Sequence, residues 1–420
     1  MRTMRNVLML FLGWALYACT SKPEKDQGGL TIQLQRFPYL QTAQADSISI
    51  LWRTDIGTQC EVKYRLKEAD KWMKTTGKVI SRNDSVRENM VTIKGLRNGE
   101  TYLYKVFTDG QELALGKDLQ FKSALRPTDS VFTFYAAGDI GESVEDGGTP
   151  DKLAQAIWER NPSYHHGLLL GDIIYPIGES SGYDIHLFPY FQDVFSRSTA
   201  WPIPGNHDWG SDIETNYAQQ WKLPGNEHYY SFDQGNVHFI GLDSKNGEFY
   251  EFGTQVAWLE NDLKKAQGNY DWIVVFLHHN GKSCTYKDDY EAVVSLYPLF
   301  AQYNVDLVLN GHAHTYERLK PMNGMGEVVQ IPDVDHNSYH NPEGFISITA
   351  GSGGKLRGVG SDPKAFTPDP SNCQYPDLVA AYDHTWAFLE IAVNGMAISA
   401  KTISVQNGEV LDAFVINKTL

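Results

Sequence analysis

Five short blocks between Asp139 and His314 carry side chains able to hold metal ions. They are Gly138-Asp139-Ile140-Gly141, Gly171-Asp172-Ile173-Ile174-Tyr175, Gly205-Asn206-His207-Asp208, Val275-Phe276-Leu277-His278 and Gly311-His312-Ala313-His314. The donors are Asp139, Asp172, Tyr175, Asn206, His278, His312 and His314. Carboxylate, amide, phenolate and imidazole without any thiolate suit a pair of hard or borderline cations. One such block means little: Asp139 or Asp172 alone reads as a cap or loop acid, Asn206 as a turn residue, Tyr175 as an aromatic at the edge of a core. Five in order, each directly after an apolar run, carry the metal reading together.

A carboxylate that bridges two cations is the natural centre of such a site. Asp172 fits that place, because its block also holds Tyr175. Asp139, Tyr175 and His314 then complete one shell, and Asn206, His278 and His312 the other. Two ions roughly 3.5–4 Å apart generate a hydroxide and stabilise both oxygens of an in-line displacement. Phosphorus is the matching electrophile, since its charged oxygens bind the ions directly. His207 is expected to project into the cleft and stabilise the phosphoryl group or protonate the leaving oxygen. Asp208, next in sequence, is expected to accept the other ring N–H of His207 and hold its tautomer.

The elements that must position these blocks are legible as apolar runs. Val131–Ala137, Gly167–Leu170, Trp201–Pro204, Trp272–Leu277 and Val305–Leu309 read as buried strands, with helices over Asp151–Arg160, Val256–Ala266 and Tyr290–Tyr303. That alternation predicts an α/β layered domain over residues 126–420. Its loops should converge where the carboxyl ends of the strands open into a crevice. Later strands over Gly344–Ala350, Trp386–Val393 and Ala397–Ser404 are expected to complete a second sheet. Before the hinge Arg126-Pro127-Thr128-Asp129, residues 31–125 read differently. Short alternating runs at Ser47–Trp52, Cys60–Leu66, Met90–Ile93 and Thr101–Phe107, split by Gly57, Gly77, Gly99 and Gly110, predict an all-β sandwich. The stretch from Gly95 to Tyr104 resembles the late-strand signature of a fibronectin type III domain. No residue pattern there suggests chemistry, so a positioning module is expected.

The five blocks resemble those of the calcineurin-like metallophosphoesterases, and Tyr175 narrows the resemblance to the purple acid phosphatases. Phe37-Pro38-Tyr39-Leu40-Gln41 is similar to the entry of that family's N-terminal β domain. Gly311-His312-Ala313-His314-Thr315-Tyr316-Glu317-Arg318 is close to the plant-type last block, and Thr349-Ala350-Gly351-Ser352-Gly353-Gly354 follows it as expected. The resemblance implies a four-layer αββα sandwich preceded by a fibronectin type III-like β-sandwich domain. It also implies Fe(III) in the tyrosine-bearing position beside a divalent ion, Zn, Fe or Mn, and the hydrolysis of small phosphomonoesters by a metal-bound hydroxide. Its ligand pattern matches the seven donors residue by residue and supports His207 as a catalytic group. One place departs from the pattern. Plant-type members carry a second substrate histidine further downstream of the His278 block, whereas no histidine occurs here between His279 and His312. Either His279 takes that role, or the leaving-group pocket is built with Lys282 or Tyr286. Glu317 and Arg318 read as structural, and the insertion from Pro321 to Pro342, with His336 and His340, as a rim of the pocket.

The formal net charge of −15 over 420 residues argues against a nucleic-acid backbone as a partner, since such binding needs surplus Lys and Arg. Arg2 and Arg5 precede an apolar stretch, Val7–Leu16, too short to span a bilayer, which predicts a signal peptide over residues 1–18. Leu16-Tyr17-Ala18-Cys19 resembles the lipobox of bacterial lipoproteins, so Cys19 is expected to carry the lipid and residues 19–30 to form the tether. The expected location is extracytoplasmic, on the membrane through that anchor. Cys60, Cys284 and Cys373 remain; a Cys284–Cys373 bridge and three buried thiols are both open. Two other functions compete with phosphomonoester hydrolysis: a phosphodiesterase or nucleotide pyrophosphatase on the same centre, and a binding protein with a vestigial site.

Overall fold

The computed structural model describes residues 31–419, except 118, 247, 248, 250–252, 334–336, 363 and 365–372. The signal peptide, Cys19, the tether and His336 lie outside the described residues.

Two seven-stranded sheets form the catalytic half. The first runs Thr199–Ile203, His166–Leu170, Val131–Ala137, Ala387–Asn394, Ala397–Ser404, Val410–Asn417 and Ser338–His340. The second runs Tyr230–Gln234, Val237–Gly241, Trp272–Phe276, Leu307–Asn310, Ile346–Ala350, Tyr316–Leu319 and Val379–Asp383. Parallel pairing joins the three site-bearing strands of the first sheet and the four central strands of the second. The apolar runs are continuous because these strands are covered on both faces. Within Trp272–Phe276, the side chains of Trp272, Val274 and Phe276 join Phe134, Phe239 and Ile391 between the sheets. Ile273 and Val275 point the other way, onto Leu259 and Leu263 of the helix Thr254–Ala266. On the far side of the first sheet, Pro150–Arg160 and Phe188–Phe195 pack through Leu153, Ile157 and Phe191. Helix, sheet, sheet and helix make the four layers.

Two expectations about these elements change. The stretch from Tyr290 to Tyr303 forms two short helices, Glu291–Val294 and Tyr297–Gln302, because Pro298 lacks the N–H a continuous helix needs and starts a new turn instead. The late strands also divide. Ile346–Ala350 enters the second sheet, while Ala387–Asn394 lies antiparallel to Val131–Ala137 and carries Ala397–Ser404 into the first. An apolar run identifies a strand but not its neighbour.

The N-terminal half is a sandwich. One sheet is Leu34–Gln44, Ser47–Thr54, Val86–Lys94 and Lys78–Asn83; the other is Met73–Thr76, Cys60–Leu66, Thr101–Thr108 and Gln111–Leu113, with Gln120–Lys122 beside Thr101–Thr108. Ile48, Ile50 and Trp52 point into its core with Val62, Val91 and Val106. The opposite face of that strand is buried too, since Leu51 joins the catalytic core together with Tyr39. Around this junction Arg53 Nη2 lies 3.1 Å from Glu88 Oε2, and Arg36 and Arg53 both reach Asp184 and Gln220 Oε1. Gln41 Nε2 donates to the Ala200 carbonyl on the edge strand of the first sheet at 2.9 Å. Charges buried this deeply persist only when paired, so the network fixes the β domain against the sheet that carries the site.

Candidate metal centre

All seven donors lie on loops at the carboxyl ends of parallel strands, as the crevice argument requires. Asp139, Asp172 and His312 have positive φ, at 58°, 49° and 68°. Left-handed backbone is uncommon outside glycine, and its clustering on three donor residues is the strain a preorganised site stores. Glycines before the donors permit the close approach. A Cβ on Gly205 would fall 2.2 Å from Asp172 Oδ1, and one on Gly171 would fall 2.6 Å from the His278 ring.

The donors gather around two adjoining points. At the first, Tyr175 Oη lies 2.8 Å from Asp139 Oδ1, 3.0 Å from Asp172 Oδ2 and 3.2 Å from His314 Nε2. At the second, His278 Nε2 lies 3.2 Å from Asn206 Oδ1 and 3.3 Å from Asp172 Oδ2. His312 joins them, with donor atoms of Asp172, His278 and His312 all within 4.8 Å of one another. Asp172 Oδ2 is therefore common to both points. Its other oxygen is held by the His207 backbone N–H at 2.8 Å, and Asp139 Oδ2 is held likewise by the His312 N–H at 2.8 Å.

The donor set fits cations on proton counting. His278 Nδ1 donates to the Leu170 carbonyl at 2.9 Å, so a neutral ring turns the Nε2 lone pair onto two oxygen acceptors. His314 Nδ1 donates to Asp362 Oδ2 at 2.7 Å, which turns its Nε2 lone pair onto Tyr175 Oη and Asp139 Oδ1. The single Tyr175 proton cannot satisfy a carboxylate on each side and an imidazole as well. A cation at each point satisfies every one of these lone pairs. Without one the electrostatics are unfavourable for a phenolate: burial first, then the Asp139 and Asp172 charges, hold the Tyr175 phenol well above its ordinary value. Burial opposes charge on His278, but Asp172 overrides it and lifts the imidazole to about 9. A bound cation reverses both preferences.

The surroundings include residues that sequence reading missed. Asp362, which orients His314, is itself paired with Arg357 at 2.5 Å. The Lys355 ammonium lies 4.0 Å from the Tyr175 ring centroid and pairs with the buried Glu142. Tyr286, which the sequence did single out for the leaving-group pocket, accepts the His314 backbone N–H at 2.9 Å. No spacing rule points to Asp362 or Lys355, because both contacts are made by the loop beyond Ile346–Ala350 folding back over the first blocks.

Two catalytic expectations are corrected. Asp208 does not orient His207. It is fully buried and accepts the backbone N–H groups of Gly205 at 2.8 Å, Ile173 at 3.1 Å and Ile174 at 3.3 Å, clipping the second block to the third. His207 instead directs Nδ1 at the Pro176 carbonyl, 2.5 Å away, and its ring, 35% exposed, brings Nε2 to 3.9 Å from Asp172 Oδ2. Adjacency in sequence placed these two side chains on opposite sides of a tight turn. His279 is withdrawn from the mouth. It is 4% exposed, stacked on Tyr290 at 4.3 Å and bonded through Nδ1 to Ser244 Oγ at 2.8 Å, behind His278 and His312. Burial lowers its imidazole to about 3. Lys282 turns away as well, donating to the Met325 and Gly326 carbonyls. Glu317 and Arg318 are structural: the first accepts the Cys284 N–H, the second pairs with Asp412. The insertion supplies the edge strand Ser338–His340 of the first sheet.

Residues 132–316 match the calcineurin-like phosphoesterase family, and residues 36–123 match the N-terminal domain of purple acid phosphatases. The chain joins a calcineurin-like phosphoesterase domain to a purple acid phosphatase N-terminal domain. Purple acid phosphatase 18 of Arabidopsis thaliana is 28% identical over 273 residues, 60% of this chain and 57% of that protein, so the match spans under two thirds of the plant relative. Acid phosphatase type 7 of Homo sapiens is 25% identical over 406 residues, 87% of this chain and 86% of the human protein. A purple acid phosphatase structure from yellow lupin (Lupinus luteus) seeds superposes with a TM-score of 0.76 at 20% identity, covering 91% of this chain and 74% of the lupin chain. That likeness concerns the fold, and the two domain matches imply a dinuclear metal centre. The chain also carries a Cys284–Cys373 disulfide, while Cys60 is a buried free thiol. Among the described residues no helix is long and apolar enough to cross a membrane.

Proposed function

We propose that this protein is a metal-dependent acid phosphatase acting on phosphomonoesters outside the cytoplasm, tethered to the membrane through lipid on Cys19. The observation that carries the activity is Tyr175 Oη set between two carboxylates and an imidazole, a hard oxygen donor in a pocket whose lone pairs lack protons. Such a donor set favours Fe(III) at the Tyr175 point and a divalent ion, Zn, Fe or Mn, at the His278 point. Bound there, the ion pair would supply Lewis-acid activation of a phosphoryl group and of a water molecule.

The chain's own groups do the rest. Asp172 ties the two points together through one oxygen, while backbone N–H groups keep both carboxylates from turning. Asn206, His207 and His312 are the partly exposed members of the set, so substrate meets the site across them. His207 has Nδ1 fixed on a carbonyl, which leaves Nε2 to hold a phosphoryl oxygen or pass a proton to the leaving oxygen. The test is metal analysis of the soluble chain beginning after Cys19, with rates on an aryl phosphate monoester and an aryl phosphate diester. Two ions per chain, faster monoester turnover and a visible absorption band lost in Tyr175→Phe are expected. Faster diester turnover would overturn the monoester reading, and a colourless iron-loaded protein would defeat the tyrosinate assignment.

A further inference from the structure

Lys355 is buried, and an ammonium leaves water only at a cost its partners must offset. Its partner is the buried Glu142 carboxylate, bonded through Oε2. Ser361 Oγ completes the cluster, 2.7 Å from the Lys355 Nζ and 2.8 Å from Glu142 Oε2. A buried ion pair adds little stability over apolar side chains of similar volume, so stability alone does not call for a charge here. Its position offers another reason. The ammonium lies 4.0 Å from the centroid of the Tyr175 ring.

Backbone packing fixes that position. Gly353 and Gly354, just before the lysine, donate their N–H groups to the Gly138 and Asp139 carbonyls at 3.2 and 3.1 Å. The loop is thereby bonded to the first donor block itself. A Cβ on Gly354 would fall 2.1 Å from the Ile140 carbonyl oxygen, and one on Gly141 would fall 1.9 Å from that of Ile173. Only glycine lets backbones approach this closely. Gly141 in turn accepts the Tyr175 N–H at 3.3 Å, so one stack of loops sets both the phenol ring and the ammonium. On the far side of the lysine, the Ser361 N–H is held by the Asp146 carbonyl at 3.0 Å. Asp139 and Asp172 address the Tyr175 oxygen, at 2.8 and 3.0 Å, whereas Lys355 addresses the ring.

We propose that Lys355 acts through Tyr175: its ammonium draws on the electrons of the ring and weakens the phenolate as a donor to the cation at the Tyr175 point. The inference rests on the tyrosinate reading above and deepens it. A cation over an aromatic face is attracted to the ring electrons, more so when the site is dry. The attraction grows when the ring shares the negative charge of a phenolate. A weaker donor leaves more positive charge on the ion beside it. Moving an electron from the ring to iron also takes it away from the ammonium, so light of higher energy is needed.

The test records visible spectra of iron-loaded wild-type, Lys355→Met and Lys355→Met/Glu142→Gln at equal iron content. Lys282→Met serves as the charge control, since that lysine is held by the Met325 and Gly326 carbonyls, away from Tyr175. Lys355→Met is expected to move the phenolate band to longer wavelength by about 10–20 nm, the size that follows from the energy of a cation over an aromatic face. The control should leave the band in place. Removing Lys355 alone strands a buried carboxylate, so the double variant, which removes both charges, decides the matter if the single variant does not fold. Its band should move in the same direction. A band that stays put or moves to shorter wavelength would overturn the tuning and leave the tyrosinate assignment intact. An equal shift in Lys282→Met would overturn it too, by assigning the effect to net charge. Failure of both Lys355 variants to hold iron would overturn it by making the ion pair a structural requirement. An iron-loaded wild-type without a band would overturn the tyrosinate assignment and this inference together.

Discussion

Replacing Asp208 by Ala separates a loop clip from a histidine-orienting group. The side chain accepts three buried backbone N–H groups, from Gly205, Ile173 and Ile174, and lies 3.5 Å from the Tyr183 hydroxyl. Each donor left without a partner costs about 1–3 kcal/mol. The losses are partly shared, because one loop movement relieves several donors at once. Removing the carboxylate also relieves a group that burial, and then the Asp172 charge, have pushed up to about 7. A net loss of roughly 3–5 kcal/mol is expected, within the range for breaking a buried hydrogen-bonded charge. Urea unfolding followed by tryptophan fluorescence measures it, and metal content should fall because the clip joins the blocks bearing Asp172 and Asn206. His207→Ala, at a partly exposed ring, should change stability by no more than about 0.5 kcal/mol. The double variant should then show the sum of the two effects. If Asp208→Ala cost less than about 1 kcal/mol, or if His207→Ala cost as much as Asp208→Ala, the clip would be wrong and the His207–Asp208 pairing would return.

The other predictions address separate parts of the molecule. Asp362→Ala, which frees the Nδ1 side of His314, should weaken metal binding about 10- to 100-fold in a chelator competition while the fold is retained; unchanged affinity would refute the orienting role. Cys284→Ser opens a bridge between residues 89 apart, and a chain-entropy account puts the loss at roughly 4–5 kcal/mol, read from the shift of the urea midpoint under oxidising conditions. His238 lies between Asp233 and Asp262, which outweigh its burial and raise it to about 9. A raised imidazole contributes stability fully below its ordinary value near 6.5, and that contribution disappears as pH rises through about 9. With Asp233 nearly half exposed, about 1–2 kcal/mol should be lost between pH 6 and pH 10 in wild-type and not in His238→Gln, and equal slopes would exclude the brace.

The seven donors were legible because metal chemistry restricts residue type and because each block follows a strand. Trp272–Phe276 announces itself by an unbroken apolar run, and a strand covered on both faces can hardly be written otherwise. The same logic exposed the β sandwich, where Ile48, Ile50 and Trp52 alternate with the residues between them. Leu51 then broke the simple reading, since its face packs on the catalytic core and not on water.

Which strand lies beside which could not be read: Ile346–Ala350 and Ala387–Asn394 were both legible as strands, yet one enters the second sheet and the other the first. Side-chain direction was equally hidden. His207 and Asp208 are neighbours in the chain, yet a tight turn sends one to the cleft and the other into the core. Asp362 and Lys355 reach His314 and Tyr175 only because the loop after Ile346–Ala350 folds back over the site. The sequence by itself determined the ligand types, their order and their place at strand ends, since those are local constraints of chemistry and periodicity. Tertiary structure decided the common oxygen of Asp172, the clip at Asp208 and the withdrawal of His279, since each depends on how distant loops meet at one point.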